Sequence, residues 1–123
     1  MKLKTTEDYL KTIYCIRLRK GCACAADVAA ELDISRPTVS VALKKLVAEN
    51  YIIIDKQYEI RLTETGRSIA VEIYERHEMF SRLLSELGVN KTVAAKDACQ
   101  LEHAVSRESY DALKKLALQI EKK

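Results

Sequence analysis

Residues 25–49 read AADVAAELDISRPTVSVALKKLVAE, and this stretch decides the fold. AADVAAEL (25–32) is a short helix, Asp33-Ile34-Ser35 is a tight connection, and Arg36-Pro37 opens a second helix that runs to about Glu49. Pro37 suits a first helical turn, because the N–H it lacks would have had no partner there. Two helices joined by about four residues form a helix-turn-helix. Upstream, residues 5–20 read as a helix capped by Thr5 or Thr6, with Glu7 and Asp8 at its positive end and Gly21 closing it. Downstream, YIIIDKQYEIRL (51–62) is rich in isoleucine and tyrosine around a polar DKQ, the pattern of a β-hairpin. Helix, helix, helix, hairpin is the order of a winged helix-turn-helix.

That fold presents the start of its third helix to the DNA major groove. Ser35, Thr38 and Ser40 are hydroxyls suited to phosphate oxygens, and Pro37 can touch a thymine methyl. Arg36, Lys44 and Lys45 add counter-charge, and Lys56 and Arg61 in the hairpin can track the neighbouring backbone. Charge distribution agrees. Residues 1–68 carry 12 Lys and Arg against 9 Asp and Glu, whereas residues 69–123 carry 9 of each. The whole excess of +3 therefore sits in the first half.

The remaining composition excludes several classes. At 123 residues and 48% hydrophobic, the chain can build one domain or two very small ones. Its 3 Gly and 1 Pro disfavour a turn-rich all-β fold and leave no Gly-rich phosphate loop. Cys15, Cys22, Cys24 and Cys99 form no CxxC pair, which removes zinc ribbons and thioredoxin-like motifs, and they are expected as thiols. No apolar run approaches a membrane span or a secretory signal, so a soluble, cytoplasmic protein without membrane contact is expected.

The second half carries a different chemistry. Thr63-Glu-Thr-Gly-Arg67 starts a long helix to about Leu87, followed by helices near 90–105 and 107–121. The long helix has an apolar stripe at Ile69, Ile73, Phe80, Leu84 and Leu87, and His77 lies on it. In Cys99-Gln-Leu-Glu102-His103 the spacing i, i+3, i+4 puts a thiol, a carboxylate and an imidazole on one helical face. Each can donate an electron pair to a metal. The bland alternative stays open on these residues alone: Cys99 as core filler, Glu102 paired with a lysine, His103 exposed.

TTEDYLKTIY (5–14), SRPTVSVALKKL (35–46), RLTETGR (61–67) and DACQLEH (97–103) make the resemblance specific. The chain resembles the diphtheria-toxin-repressor family of metal-dependent transcriptional regulators, and most of all its short manganese-transport-regulator branch. The resemblance implies a mainly α fold with a small β-hairpin wing. An N-terminal winged helix-turn-helix domain (1–68) and a C-terminal helical metal-binding and dimerisation domain (69–123) would be joined by the long helix at about 64–87. It also implies a metal site drawn from Asp8, His77, Cys99, Glu102 and His103, with DNA contacts at Ser35, Pro37, Thr38 and Ser40.

Against that family the sequence is a hybrid. Asp8 follows the manganese type, where the iron type has Met, but Cys99 follows the iron type, where the manganese type has Glu. Lys11 stands where manganese-type members often place a second acid, which suggests a single ion with an ammonium in place of a second one. Of the iron branch's ancillary site His77 matches, but Ser81 and Ala95 do not, and the SH3-like third domain of that branch is not expected.

The expected cofactor is Mn(II) or Fe(II). Two carboxylates and two imidazoles suit either, and the thiolate shifts preference towards Fe(II), Co(II) or Zn(II). The expected mechanism is a clamp in which metal fixes the first helix against the dimerisation helices and sets the spacing of two recognition helices on a palindromic operator. Apolar residues on the last helix (Tyr110, Leu113, Leu116, Ala117, Ile120) support a homodimer. Three other readings remain: a winged-helix regulator answering an organic ligand or thiol oxidation, a pure interaction module, and a non-haem iron enzyme. The last is disfavoured because nothing supplies a substrate pocket.

Overall fold

The computed structural model describes residues 5–121. Its elements follow in the order α1 (Thr6–Lys20), α2 (Ala25–Leu32), α3 (Arg36–Ala48), β1 (Ile52–Ile54), β2 (Ile60–Leu62), α4 (Glu64–Glu86), α5 (Lys91–Ala104) and α6 (Arg107–Glu121). Two compact units divide the chain, Met1–Glu72 and Ile73–Lys123, and α4 contributes to both.

In the first unit, local chemistry sets the helix ends. Thr5 accepts the Asp8 N–H at 3.1 Å while Asp8 Oδ2 accepts the Thr5 N–H at 2.9 Å, a reciprocal capping box that opens α1. Gly21 closes α1 in the left-handed region (φ 85°), which a side chain would oppose. At the start of α2, Asp27 Oδ2 accepts the Cys24 N–H at 3.0 Å. The Lys20 ammonium, 2.8 Å from Asp27 Oδ1, holds the Asp27 carboxyl below its usual value. Ser35 caps α3 by accepting the Thr38 N–H at 3.3 Å.

The core beneath joins every element of this unit. Leu10, Ile13 and Ile16 of α1 meet Val28 of α2, Val39, Leu43 and Leu46 of α3, Ile52 and Ile60 of the hairpin, and Ala70 of α4. Burying each Leu or Ile contributes roughly 1.5–3 kcal/mol before entropy is counted. The hairpin pairs Ile52 with Leu62 and Ile54 with Ile60. Its turn is held by Asp55, whose Oδ1 accepts the N–H groups of Gln57 (2.9 Å) and Glu59 (3.0 Å). The hairpin is tied to α1 and to the loop after it. The Ile60 N–H donates to Ala23 O at 2.8 Å, and Arg17 Nη1 donates to Glu59 Oε1 at 2.7 Å and to Ile60 O at 3.0 Å.

In the second unit, Asn90 caps α5 through the Thr92 N–H at 2.8 Å, and Ser106 accepts the Ser109 N–H at 3.1 Å at the start of α6. Phe80 meets Tyr110 edge-on, with ring centroids 6.1 Å apart, and Ala98 packs beside them. Burial pushes the Tyr110 phenol above its usual pKa. The apolar stripe of α4 differs from its sequence reading. Leu83 is buried, Leu84 is only half-buried and Leu87 is 64% exposed. Buried positions along α4 follow the three- and four-residue steps of a 3.6-residue turn, and Leu87 lies beyond the last helical residue. On α6, Leu116 and Leu118 stay about half exposed, at 47% and 48%. No helix among the described residues is long and apolar enough to cross a membrane.

Candidate metal centre and nucleic-acid face

Glu102 is the buried carboxylate of the second unit, with no exposed surface. It projects from the last turn of α5 between two imidazoles. Its Oε2 lies 3.0 Å from Nδ1 of His77 on α4, and its Oε1 lies 3.3 Å from Nε2 of the adjacent His103. Cys99, one turn earlier on α5, places Sγ 3.7 Å from the same His77 Nδ1. Donor atoms of His77, Cys99 and Glu102 all lie within 4.8 Å of one another. Both histidines of the chain thus face one carboxylate.

The donor atoms of this set could hold a cation. A buried carboxylate requires compensating positive charge. A divalent cation would supply it, with each imidazole offering it an unprotonated ring nitrogen and the thiol giving up its proton. Thiolate, carboxylate and imidazole converging on one point fit a first-row divalent metal.

Asp8 belongs to the first unit, where it is the third residue of α1, half-buried and engaged in the capping box. The cap uses Oδ2 as acceptor. Lys11 is half-buried on the same helix.

The nucleic-acid candidates also have definite places. Ser35, Arg36, Pro37, Thr38, Ser40, Lys44 and Lys45 are all exposed, on the cap and outer face of α3. The Ser35 and Thr38 hydroxyls lie 2.8 Å apart, so one donates to the other. Lys56 is exposed in the hairpin turn. Arg61 is exposed but held by two carboxylates, with Nε 3.3 Å from Asp55 Oδ2 and Nη2 3.1 Å from Glu59 Oε2.

Sequence reasoning missed two residues. Val41, 71% exposed, stands one turn after Pro37 on the outer face of α3. A valine in a helix reads as core, and only the burial of its neighbours Val39 and Leu43 reveals otherwise. Arg76, at 8% exposure, is buried one residue before His77, and no local pattern marks it.

Comparisons with known proteins place the chain in a family. The sequence profile of the iron dependent repressor N-terminal DNA binding domain matches residues 1–59. That of the iron dependent repressor metal binding and dimerisation domain matches residues 63–123. The transcriptional regulator MntR of Salmonella typhimurium is 37% identical over 106 residues, covering 86% of this chain and 68% of that protein. Among solved structures, the manganese regulator SloR superposes with a TM-score of 0.80 at 31% identity, and IdeR of T. acidophilum with 0.81 at 27%. These superpositions cover 94% and 92% of this chain, which spans about half, 54%, of each of those chains. The fold is therefore mainly helical with a two-stranded wing, and the chain belongs to the iron-dependent repressor family of metal-dependent transcriptional regulators, the family that includes MntR.

Proposed function

We propose that the chain is a Mn(II)- or Fe(II)-dependent, DNA-binding transcriptional regulator that acts as a homodimer on a palindromic operator in the cytoplasm and represses metal-uptake genes. The observation that carries this reading is the buried Glu102 carboxylate between His77 and His103, with Cys99 beside it.

The ligands are assigned as His77, Cys99, Glu102 and His103 from the second unit, with Asp8 from the first. The divalent cation, when bound, supplies the positive charge that these acids lack. Asp8 and the α5 donors belong to different units, so a ligand set drawn from both restricts how the two move. DNA recognition then falls to the outer face of α3: Ser35, Thr38 and Ser40 on phosphates, Pro37 on a base edge, Arg36, Lys44 and Lys45 as counter-charge. Lys56 and Arg61 are assigned to the flanking backbone, Arg61 through the guanidinium edge its carboxylates leave open. A second copy is assigned to cover Leu116 and Leu118, and the dimerisation profile over 63–123 supports this.

Manganese is favoured by Asp8 and by the likeness to the manganese regulator SloR; iron is favoured by Cys99 and by the likeness to iron dependent repressors. Lys11, one turn after Asp8, favours one ion per subunit.

Capture of genomic DNA fragments tests the reading. The protein is offered fragments in Mn(II), in Fe(II) without oxygen, and in chelator, at one fixed salt concentration, because phosphate contacts make affinity steeply salt-dependent. A few palindromic fragments retained only with metal are expected. Equal retention in chelator would instead identify a metal-independent winged-helix regulator.

A further inference from the structure

Arg76 and His77 are consecutive on α4, and both reach Glu102. His77 meets its carboxylate. Arg76 meets its backbone: Nη1 lies 3.4 Å from the Glu102 carbonyl oxygen and 2.6 Å from that of Val105. These carbonyls close α5, which ends at Ala104 before Val105 turns to extended backbone. The last carbonyls of a helix have no partner within it, and a cation there is favoured by the helix dipole. The same guanidinium lies 5.0 Å from the centroid of the Tyr110 ring on α6. One buried cation therefore joins three helices at the turn that carries Glu102 and His103.

Resting on the metal-site reading above, we propose that Arg76 is the positioning residue of the metal centre. It fixes the last turn of α5 so that the Glu102 carboxylate keeps one oxygen towards each histidine, and it makes no contact with the metal itself. A planar guanidinium can span two carbonyls and still stack on a ring, whereas an ammonium is a point donor. The arrangement resembles supporting hydrogen bonds at other metal centres, whose loss typically costs 10–100-fold in affinity.

The test compares the full chain with Arg76→Gln, Arg76→Lys and Glu102→Gln. Each is titrated with Mn(II), and with Co(II) while the thiolate-to-cobalt absorption is followed. Thermal unfolding in chelator reports the fold separately. Arg76→Gln is expected to bind Mn(II) roughly 10–100-fold more weakly than wild type and to shift the Co(II) spectrum. Arg76→Lys is expected to recover part of both, and it carries the test alone should Arg76→Gln fail to fold. The proposal is overturned if a folded Arg76 variant keeps wild-type Mn(II) affinity and the wild-type Co(II) spectrum, even with a lowered unfolding temperature, because that marks a purely structural arginine. If Glu102→Gln binds as well as wild type, the metal-site reading itself fails, and Arg76 loses its role with it.

Discussion

Glu102→Gln is expected to abolish metal-dependent DNA binding while leaving the metal-free protein at least as stable as wild type. The two expected effects have opposite signs and one cause. The Glu102 carboxylate is fully buried and lies between the His77 and His103 imidazoles. Taking a carboxylate out of water costs several kcal/mol, which the hydrogen bonds it accepts offset only in part. Glutamine has the same shape, retains an acceptor oxygen, and removes that cost. On the proposed ligand assignment the carboxylate is the central anionic donor to the bound metal. Its loss should weaken Mn(II) binding by at least about 100-fold, beyond the 10–100-fold that losing a supporting partner costs. Metal titrations, a mobility-shift assay with and without Mn(II), and thermal unfolding in chelator measure the three quantities. Mn(II)-dependent DNA binding that survives in Glu102→Gln would remove the carboxylate from the site.

Gly66→Ala is expected to destabilise the first unit severely. Gly66 lies in the first turn of α4, where alanine would ordinarily stabilise a helix by up to about 1 kcal/mol. Here a Cβ would collide with the carbonyl oxygen of Tyr51. That oxygen cannot retreat. It accepts the Thr63 N–H at 3.0 Å and the Thr63 hydroxyl at 3.1 Å, and Thr63 Oγ1 in turn accepts the Gly66 N–H at 3.1 Å. Forcing extra volume into a packed site costs about 1–3 kcal/mol, and more where the obstacle is backbone. Overpacking therefore outweighs propensity, and the unfolding temperature should fall by roughly 5–15 °C for a chain of this size. An unchanged or raised unfolding temperature would show that α4 can shift away from Tyr51 at no cost.

The same close approach explains why so much of the fold is legible in the sequence. Helix ends are written in residues whose chemistry is local: Thr5 with Asp8, Gly21, Ser35 ahead of Pro37, and Thr63 ahead of Gly66. Those signals act over three or four positions, so a reader of the chain can find them. The hairpin was legible from its isoleucines, although each strand is only three residues long and the turn takes Tyr58 into the left-handed region (φ 61°). The α4 stripe was read less well, because a list of apolar residues at helical spacing does not say where the helix stops being covered; Leu87 is apolar and exposed.

Site residues divide along the same line. Cys99, Glu102 and His103 share one helical face, so their grouping follows from spacing alone. His77 reaches Glu102 across 25 positions, and its place there was implied by family resemblance rather than by spacing. Arg76 was invisible. Its partners are backbone carbonyls 26 and 29 positions away, and backbone carbonyls leave no trace in a sequence. Val41 was hidden for the opposite reason, since its residue type argues for burial and the α3 surface overrides it.

The central claim is that the donor set around Glu102 converts metal binding into DNA affinity. Linkage makes this testable in one equilibrium measurement, because any factor by which metal tightens DNA binding must equally be the factor by which DNA tightens metal binding. The Mn(II) dissociation constant of the full chain should therefore be measured alone and with a saturating amount of a fragment recovered in the capture experiment. The account predicts metal binding at least about fivefold tighter with DNA present, the lower end of typical coupling between sites. The same Mn(II) affinity with and without DNA would contradict it, however tightly each ligand bound by itself.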